Sequence, residues 1–119
     1  MRRSYDIILW GASGFTGALV AEYFLREYGL NKTIKWAIAG RNKQKLKALR
    51  LKLKSIDHNA LKIPILIGDS LDIKTLEPIV KETNVICSTT GPYLKYGKLL
   101  IKACVNQRTD YCDITGESP

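Results

Sequence analysis

Short apolar runs alternate along the chain with longer segments in which apolar residues recur at helical spacing. The short runs predict five strands, and the longer segments predict four helices. Strands that alternate with helices form a parallel sheet covered on both faces, and nearly all-apolar strands are typical of such a sheet. We therefore expect one α/β domain with a doubly wound parallel sheet in strand order 3-2-1-4-5. The predicted strands are 5–10, 33–39, 63–67, 84–88 and 109–113, and the predicted helices are 15–28, 43–56, 72–82 and 96–106.

The first predicted helix carries an apolar stripe at positions i, i+1, i+4 and i+5. Polar residues lie off this stripe, as in an amphipathic helix packed on a sheet. We expect the stripe to face the sheet, and its members are Leu19, Val20, Tyr23 and Phe24.

A glycine-rich turn, residues 11–17, joins the first strand to the first helix. A strand, a turn and a helix in this order place backbone N–H groups at a helix N-terminus, whose partial positive charge suits a diphosphate. Gly11 can turn sharply off the strand, Gly14 lets a phosphate approach the backbone, and Gly17 lets the helix pack closely. Ser13 stands where the GxGxxG fingerprint has a glycine. The turn predicts a Rossmann-type dinucleotide site, and a tight turn without a ligand is the alternative.

The second strand is followed by a basic residue where many dinucleotide-binding domains have an acid. Asp or Glu at this point would receive the ribose 2′-hydroxyl of NAD. Here Gly40 is followed by Arg41 and Asn42, and Arg41 can pair with a 2′-phosphate, helped by Asn42 and Lys45. An exposed arginine at the start of a helix is a weaker interpretation, because helix N-termini disfavour cations. NADP(H) is therefore predicted as the cofactor in preference to NAD(H).

Asp69 directly follows the third predicted strand. Its carboxylate could accept a hydrogen bond from the adenine amino group of the cofactor. It could equally cap the next turn, and the sequence leaves both roles open.

The loop after the fourth strand lies across the predicted switch point from the glycine turn, where the nicotinamide ribose and the diphosphate would pass. Its threonines offer hydroxyl donors, its glycine admits the cofactor, and Pro92 with Tyr93 could form a wall of the nicotinamide site. A structural loop without ligand contact is the alternative. The candidate cofactor-binding residues are Gly11, Ser13, Gly14, Phe15, Thr16, Gly17, Gly40, Arg41, Asn42, Asp69, Thr89, Thr90, Gly91, Pro92 and Tyr93.

The net charge of +8 does not indicate a nucleic-acid site. Seven of the 19 Lys and Arg residues lie between Arg41 and Lys54, a stretch without an acid that is predicted to be mostly one helix. No aromatic residues are interleaved there, as a single-strand-binding surface would need. We interpret the stretch as a solvated helix face that also attracts an anionic cofactor.

The remaining reactive groups give no further site. Cys87, Cys104 and Cys112 fit no metal-ligand spacing, and we expect reduced thiols in an intracellular, cytoplasmic protein. No apolar run approaches the ~20 residues of a membrane-spanning helix. No metal site and no role for His58 are predicted, and the catalytic residues stay unassigned because no acid–base set can be identified.

Several segments together resemble the saccharopine dehydrogenase-like oxidoreductases, a group that includes the trans-acting enoyl reductases of lipid synthesis. They are YDIILWGASGFTG at 5–17, AGRN at 39–42, TGPY at 90–93 with YG at 96–97, and AC at 103–104 leading to YCDITGE at 111–117. The resemblance covers the whole chain. It implies an N-terminal NADP-binding Rossmann domain, to which complete members add a second domain.

On this resemblance we expect residues 1–119 to be the cofactor domain of an oxidoreductase, inactive alone, with a small-molecule or lipid-like substrate bound by a second domain outside the chain. A homodimer is left open. One alternative family is N-acetyl-gamma-glutamyl-phosphate reductase, which has a nearly identical opening turn but needs a catalytic cysteine in its own setting. The other alternative is a non-catalytic NADP-sensing or scaffold domain, since the fold alone does not establish turnover.

Overall fold

The structure is a computed structural model that describes residues 3–30, 32–89 and 97–113. Within these residues strands and helices alternate, with one short 3₁₀ helix at His58–Lys62. The strands are β1 (Tyr5–Trp10), β2 (Trp36–Gly40), β3 (Ile65–Ile67), β4 (Thr83–Ser88) and β5 (Asp110–Asp113). The helices are α1 (Phe15–Tyr28), α2 (Lys43–Leu53), α3 (Ile73–Val80) and α4 (Lys98–Gln107).

The described strands form one parallel sheet in the order β3-β2-β1-β4-β5, which confirms the predicted topology. β1 lies at the centre, and its last residue, Trp10, is in register with Ala39 of β2 and Ser88 of β4. The strand order reverses beside β1, and ligands of such sheets bind at the carboxyl ends of the strands at this switch point. The segments that follow β1, β2 and β4 therefore converge at one edge.

Both faces of the sheet are buried. Along β1, Leu9 packs in the layer of α1 and α2, whereas Ile8 and Trp10 pack in the layer of α3 and α4. None of these three residues is more than 3% exposed. Apolar side chains in succession are needed because neighbouring residues of a strand point to opposite faces. This explains why the central strands β1 and β2 are nearly continuous apolar runs, whereas the edge strand β5 (DYCD) alternates exposed and half-buried residues.

The observed bounds differ from the predicted ones at element ends. β2 begins at Trp36 instead of residue 33, and α2 ends at Leu53 instead of residue 56. The 3₁₀ helix at His58–Lys62 lies between α2 and β3. Asp57 caps it by accepting a hydrogen bond from the N–H of Asn59 at 2.8 Å. A side chain that bonds to nearby backbone in this way starts a short turn.

The predicted apolar stripe of α1 is confirmed only in part: Val20 and Phe24 pack against the core, and its other two members do not. The fully buried residues of α1 are Gly17, Ala21 and Leu25, whereas Leu19 and Tyr23 expose 53% and 55% of their surface. Small residues contribute little to an apolar periodicity, so the larger side chains beside them dominated the pattern. The helix nevertheless turns its small residues to the sheet, because they allow a close approach of the two backbones.

Candidate functional site

The chain leaves β1 through a sharp turn at Gly11. Its φ of 82° lies in the left-handed region that residues with a side chain rarely adopt. The Gly11 N–H donates to the carbonyl oxygen of Ala39 at 2.8 Å, which fixes the turn to the end of β2. The N–H of Gly14 then donates to the Gly11 carbonyl oxygen at 3.1 Å. These two hydrogen bonds fix the path of the backbone from the end of β1 into α1.

Gly17 lies where α1 crosses the turn. A Cβ atom at this position would be 2.6 Å from the Cα of Ala12 and 2.7 Å from Oγ1 of Thr89, and would also press on the carbonyl oxygen of Gly11. The protein itself therefore excludes any side chain here. This confirms that Gly17 allows the helix to pack closely against the turn.

Gly14 has a different environment. Its backbone is extended (φ −75°, ψ 172°), and a Cβ atom there would meet only the Gly11 carbonyl oxygen, at an ordinary 3.5 Å. Packing would accept a side chain at Gly14, so the missing one keeps the space beside the start of α1 open. No side chain of the described residues caps this helix. The N–H groups of its first turn are therefore available to an anion.

A cleft of about 330 Å³ opens at the carboxyl ends of β1, β2 and β4. Its described lining holds two cationic residues and no acidic one. The cleft brings together the following residues predicted from the sequence: Gly11, Ser13, Gly14, Gly40, Arg41, Asn42 and Thr89. Lys45, expected only to help Arg41, also lines it, and so do Trp10 and Ser70, for which no role was predicted.

Four of the described residues predicted for the site do not line this cleft: Phe15, Thr16, Gly17 and Asp69. Phe15 and Thr16 are exposed on the first turn of α1. Phe15 borders a separate groove of about 340 Å³ between α1 and α2, which shares only Ser13 and Gly14 with the cleft. The described lining of that groove includes no strand residue, whereas the cleft is lined by the last residues of β1 and β2, so the cleft is the space that the sheet topology favours. Cofactor contacts of Phe15 and Thr16 stay predictions.

The basic side of the cleft is formed by the end of β2 and the start of α2. The side-chain oxygen of Asn42 accepts a hydrogen bond from the N–H of Lys45 at 3.0 Å and so caps α2. The cap fixes where the helix begins, with Arg41 just before it and Lys45 in its first turn. Since the Asn42 oxygen is used by the cap, its NH₂ group is the part that can meet a phosphate. This arrangement favours a group of high negative charge.

Asp69 takes the capping role that the sequence left open. Its Oδ1 accepts a hydrogen bond from the N–H of Leu71 at 2.9 Å, and its own N–H donates to Oγ1 of Thr75 at 2.8 Å. A contact with adenine stays a prediction. The next residue, Ser70, is the one that lines the cleft, and only its position after the third strand could have indicated it.

Thr89 follows β4 and is only 8% exposed. Its N–H donates to the carbonyl oxygen of Trp10 at 2.9 Å, which extends the pairing of β1 and β4 by one residue. Its hydroxyl lies 2.9 Å from the same oxygen and 3.0 Å from the carbonyl oxygen of Gly11. The remaining predicted residues of this loop, Thr90, Gly91, Pro92 and Tyr93, lie outside the described residues.

The two buried thiols, Cys87 and Cys104, show no activation. Burial raises the pKa of Cys104 to about 12. Burial also raises the pKa of Cys87 to about 12, with smaller contributions from Cys112 and Asp113. Both groups therefore keep their protons near neutral pH. Across the described ranges, no three His, Cys, Asp or Glu residues cluster in a way that could hold a metal ion. The described helices include none with the length and apolarity needed to cross a membrane.

Fold and cleft together define a parallel α/β domain of the dinucleotide-binding class. Residues 7–118 match the family described as the saccharopine dehydrogenase NADP binding domain, and the chain belongs to this family. The resemblance drawn from the sequence motifs is thereby confirmed. The match favours this family over the N-acetyl-gamma-glutamyl-phosphate reductases.

The relatives that match this chain include trans-acting enoyl reductases. A trans-acting enoyl reductase of Mycobacterium tuberculosis is 38% identical over 115 residues, which cover 97% of this chain and 26% of the relative. A trans-acting enoyl reductase of Mycobacterium leprae is 38% identical over 116 residues, which cover 98% of this chain and 26% of the relative. The chain thus spans about a quarter of the length of the relatives that it matches.

Solved structures share the fold. Apo saccharopine dehydrogenase (L-Glu forming) from Saccharomyces cerevisiae superposes with a TM-score of 0.72 at 19% identity, covering 97% of this chain and 22% of that chain. A short-chain dehydrogenase/reductase from Veillonella parvula in complex with NADP gives a TM-score of 0.66 at 17% identity, covering 92% of this chain and 46% of that chain.

The cleft fits the cofactor of the family, NADP. The open space at Gly14 beside an uncapped helix N-terminus suits the diphosphate. The two cations at the start of α2, with no acid in the described lining, suit the 2′-phosphate. The expectation of an NADP-type cofactor is confirmed by the family.

Proposed function

We propose that this chain binds NADP(H) in the cleft and holds it for hydride transfer to a substrate bound elsewhere in the natural protein. The observation that supports this most strongly is that the open glycine turn lines the same cleft as the two cations Arg41 and Lys45. This cleft lies at the switch point of the sheet. In this proposal the turn at 11–14 and the start of α1 hold the diphosphate. Arg41 and Lys45 hold the 2′-phosphate, and NADPH supplies the hydride.

We further propose that the hydride acceptor is an enoyl group. The trans-acting enoyl reductases are 38% identical over nearly the whole chain, whereas the saccharopine dehydrogenase is 19% identical and supports the fold alone. The acceptor would be a small or lipid-like molecule. Its pocket and the proton donor would lie in the part of the relatives' length that this chain does not span.

Titration of the 119-residue chain with NADPH and NADH tests cofactor binding. Trp10 lines the cleft, whereas Trp36 is fully buried in the layer of α1 and α2. We therefore expect saturable quenching of Trp10 fluorescence, with tighter binding of NADPH. Trp10→Phe should remove most of the signal, while calorimetry on that variant should still show binding. Failure of both cofactors to bind would overturn the proposal.

Turnover is tested separately. The chain alone, mixed with NADPH and an enoyl thioester, should not oxidise the cofactor, because the proposal places the substrate pocket elsewhere. Measurable NADPH oxidation by the chain would contradict this expectation. If the full-length natural protein bound NADPH but reduced no enoyl or carbonyl substrate, a cofactor-sensing domain would be the better description.

A further inference from the structure

Three segments meet at the hydroxyl group of Thr89. These are the end of β1, the glycine turn and the first turn of α1. Oγ1 of Thr89 lies 2.9 Å from the carbonyl oxygen of Trp10 and 3.0 Å from that of Gly11. It also borders the space above Gly17, since a Cβ atom there would be 2.7 Å away. The group is buried at the base of the candidate cofactor cleft.

The hydroxyl has one proton, and both of its nearest acceptors belong to the protein. Donation to Trp10 or Gly11 satisfies a carbonyl group at the point where β1 gives way to the turn. The Gly11 carbonyl oxygen also accepts the N–H of Gly14, which is the bond that closes the turn. The hydroxyl of Thr89 and the N–H of Gly14 thus both lie within hydrogen-bond distance of this oxygen. In this geometry Thr89 can offer the cofactor only its oxygen lone pairs.

Other contacts also hold the backbone of the turn: the N–H of Ala12 donates to the carbonyl oxygen of Ala39 at 3.4 Å, and α1 packs on the turn at Gly17. Gly11 is held by its N–H bond to Ala39, and Gly14 is flanked by open space. Glycines lose more conformational freedom on ordering than other residues do. Without the hydrogen bond from Thr89, the turn would therefore sample more conformations. A ligand that needs one shape binds more weakly when that shape is only partly populated. A buried hydrogen bond to Gly11 would keep the turn in one shape before the ligand arrives.

We propose that Thr89 is a positioning residue. Its hydroxyl holds the glycine turn against the end of β4, in the conformation that binds the diphosphate of the cofactor. This inference rests on the proposed function for its cofactor part. It gives Thr89 a role through the backbone of the turn, which differs from the direct hydroxyl contact expected from the sequence.

The decisive variants are Thr89→Val, which removes the hydroxyl at nearly constant shape, and Thr89→Ser, which keeps it. Thr83→Val is the matched control. Thr83 is also buried and lies at the other end of β4, where its hydroxyl donates to the carbonyl oxygen of Val85 at 3.1 Å. Should Thr89→Val fail to fold, Thr89→Ala replaces it, because it removes the hydroxyl without adding a methyl group beside Gly17.

Two measurements separate the inference from the proposed function. In the free chain, amide hydrogen exchange at residues 11–17 should accelerate in Thr89→Val and return to the original rate in Thr89→Ser. NADPH affinity should fall about three- to tenfold in Thr89→Val, the size expected for one hydrogen bond, and recover in Thr89→Ser. Thr83→Val should lower the thermal midpoint and leave both the exchange of the turn and the affinity unchanged.

Unchanged exchange and unchanged affinity in Thr89→Val would overturn the inference and leave the cofactor site standing. Equal losses of affinity in Thr89→Val and Thr83→Val would also overturn it, because general destabilisation would then be the cause. If the unmutated chain bound no NADPH, the proposed function and the cofactor part of the inference would both be wrong. The exchange measurement would still decide whether Thr89 fastens the turn.

Discussion

A Cβ atom on Gly17 would lie 2.6 Å from the Cα of Ala12, so α1 and the glycine turn are in backbone contact at this point. In an exposed helix, Gly→Ala stabilises by about 1 kcal/mol through helix propensity. Here we expect Gly17→Ala to destabilise the fold by about 1–3 kcal/mol, because the backbone of the turn must shift. Urea unfolding measures the difference. A gain in stability would show that the contact between helix and turn is looser than the structure has it.

Gly14→Ala is the matched change on the same turn. A Cβ atom at Gly14 would be at an ordinary distance from the Gly11 carbonyl oxygen, and its φ of −75° suits any residue. We expect the free energy of unfolding to change by less than about 1 kcal/mol. NADPH affinity should nevertheless fall at least tenfold, since the new methyl group enters the proposed diphosphate site. Unchanged affinity in calorimetry would argue against a diphosphate at this turn.

The sequence predicted those parts of the fold and site that depend on neighbouring residues. The strand order follows from alternating strands and helices, and the turn at 11–17 and the basic end of β2 are each continuous in sequence. These two segments meet because both follow central parallel strands. The strands' carboxyl ends share one edge, so their proximity could be inferred without knowing any contact.

The parts that were missed depend on contacts between distant residues. Thr89 meets Trp10 across 79 positions. Arg3, to which no role was assigned, donates to the carbonyl oxygens of Thr83 at 2.5 Å and Gln107 at 2.6 Å and to the hydroxyl of Thr109. A polar residue near a chain end carries no periodic signal, so nothing local distinguishes Arg3 from a solvated arginine. Gly17 and Ala21 on the buried face of α1 were missed because small residues add little to an apolar pattern.

The two roles of Asn42 can be separated by substitution. Asn42→Asp keeps the cap of α2, because Asp and Asn are comparable N-caps, and stability should change by less than about 0.5 kcal/mol. The added carboxylate lies in the lining of the cleft, beside Arg41. We expect NADPH affinity to fall roughly tenfold by charge repulsion, while NADH affinity holds. Asn42→Ala should instead cost about 1 kcal/mol of stability. Equal losses of both cofactors in Asn42→Asp would contradict the placement of the 2′-phosphate.

Alkaline pH should weaken the fold through its buried thiols. Burial raises the pKa of Cys104 from 9.0 to about 12, so above pH 9 the unfolded chain loses a proton that the folded chain keeps. The stabilisation from this group is therefore complete below pH 9 and is lost as the pH rises towards 12. Urea unfolding on either side of pH 9 should show a smaller loss of stability in Cys104→Ala than in the unmutated chain. Identical losses of stability in the two proteins would show that the Cys104 thiol has the same pKa in the folded and unfolded states.

Cofactor choice gives the sharpest test of the site. Arg41 lines the cleft where β2 ends, with Lys45 beside it and no acid in the described lining. Charge-assisted hydrogen bonds contribute about 1.5–3 kcal/mol, and ~1.4 kcal/mol is a tenfold change in affinity. We therefore expect a roughly 10- to 100-fold preference for NADPH over NADH, which decreases as salt is raised because Arg41 is exposed. Arg41→Ala should weaken NADPH binding by about this factor and leave NADH binding nearly unchanged.

Lys47→Ala is the control for that variant, because Lys47 is an exposed cation of α2 that is not among the described lining residues. It removes one positive charge, as Arg41→Ala does, from the helix that follows Arg41. It should alter NADPH affinity by less than about twofold, through long-range attraction alone. Calorimetric titration of both variants with both cofactors gives the comparison. If Arg41→Ala and Lys47→Ala weakened NADPH equally, the general positive field of α2 would account for the preference. If Arg41→Ala weakened NADH as much as NADPH, Arg41 would hold the shape of the cleft without contacting the 2′-phosphate.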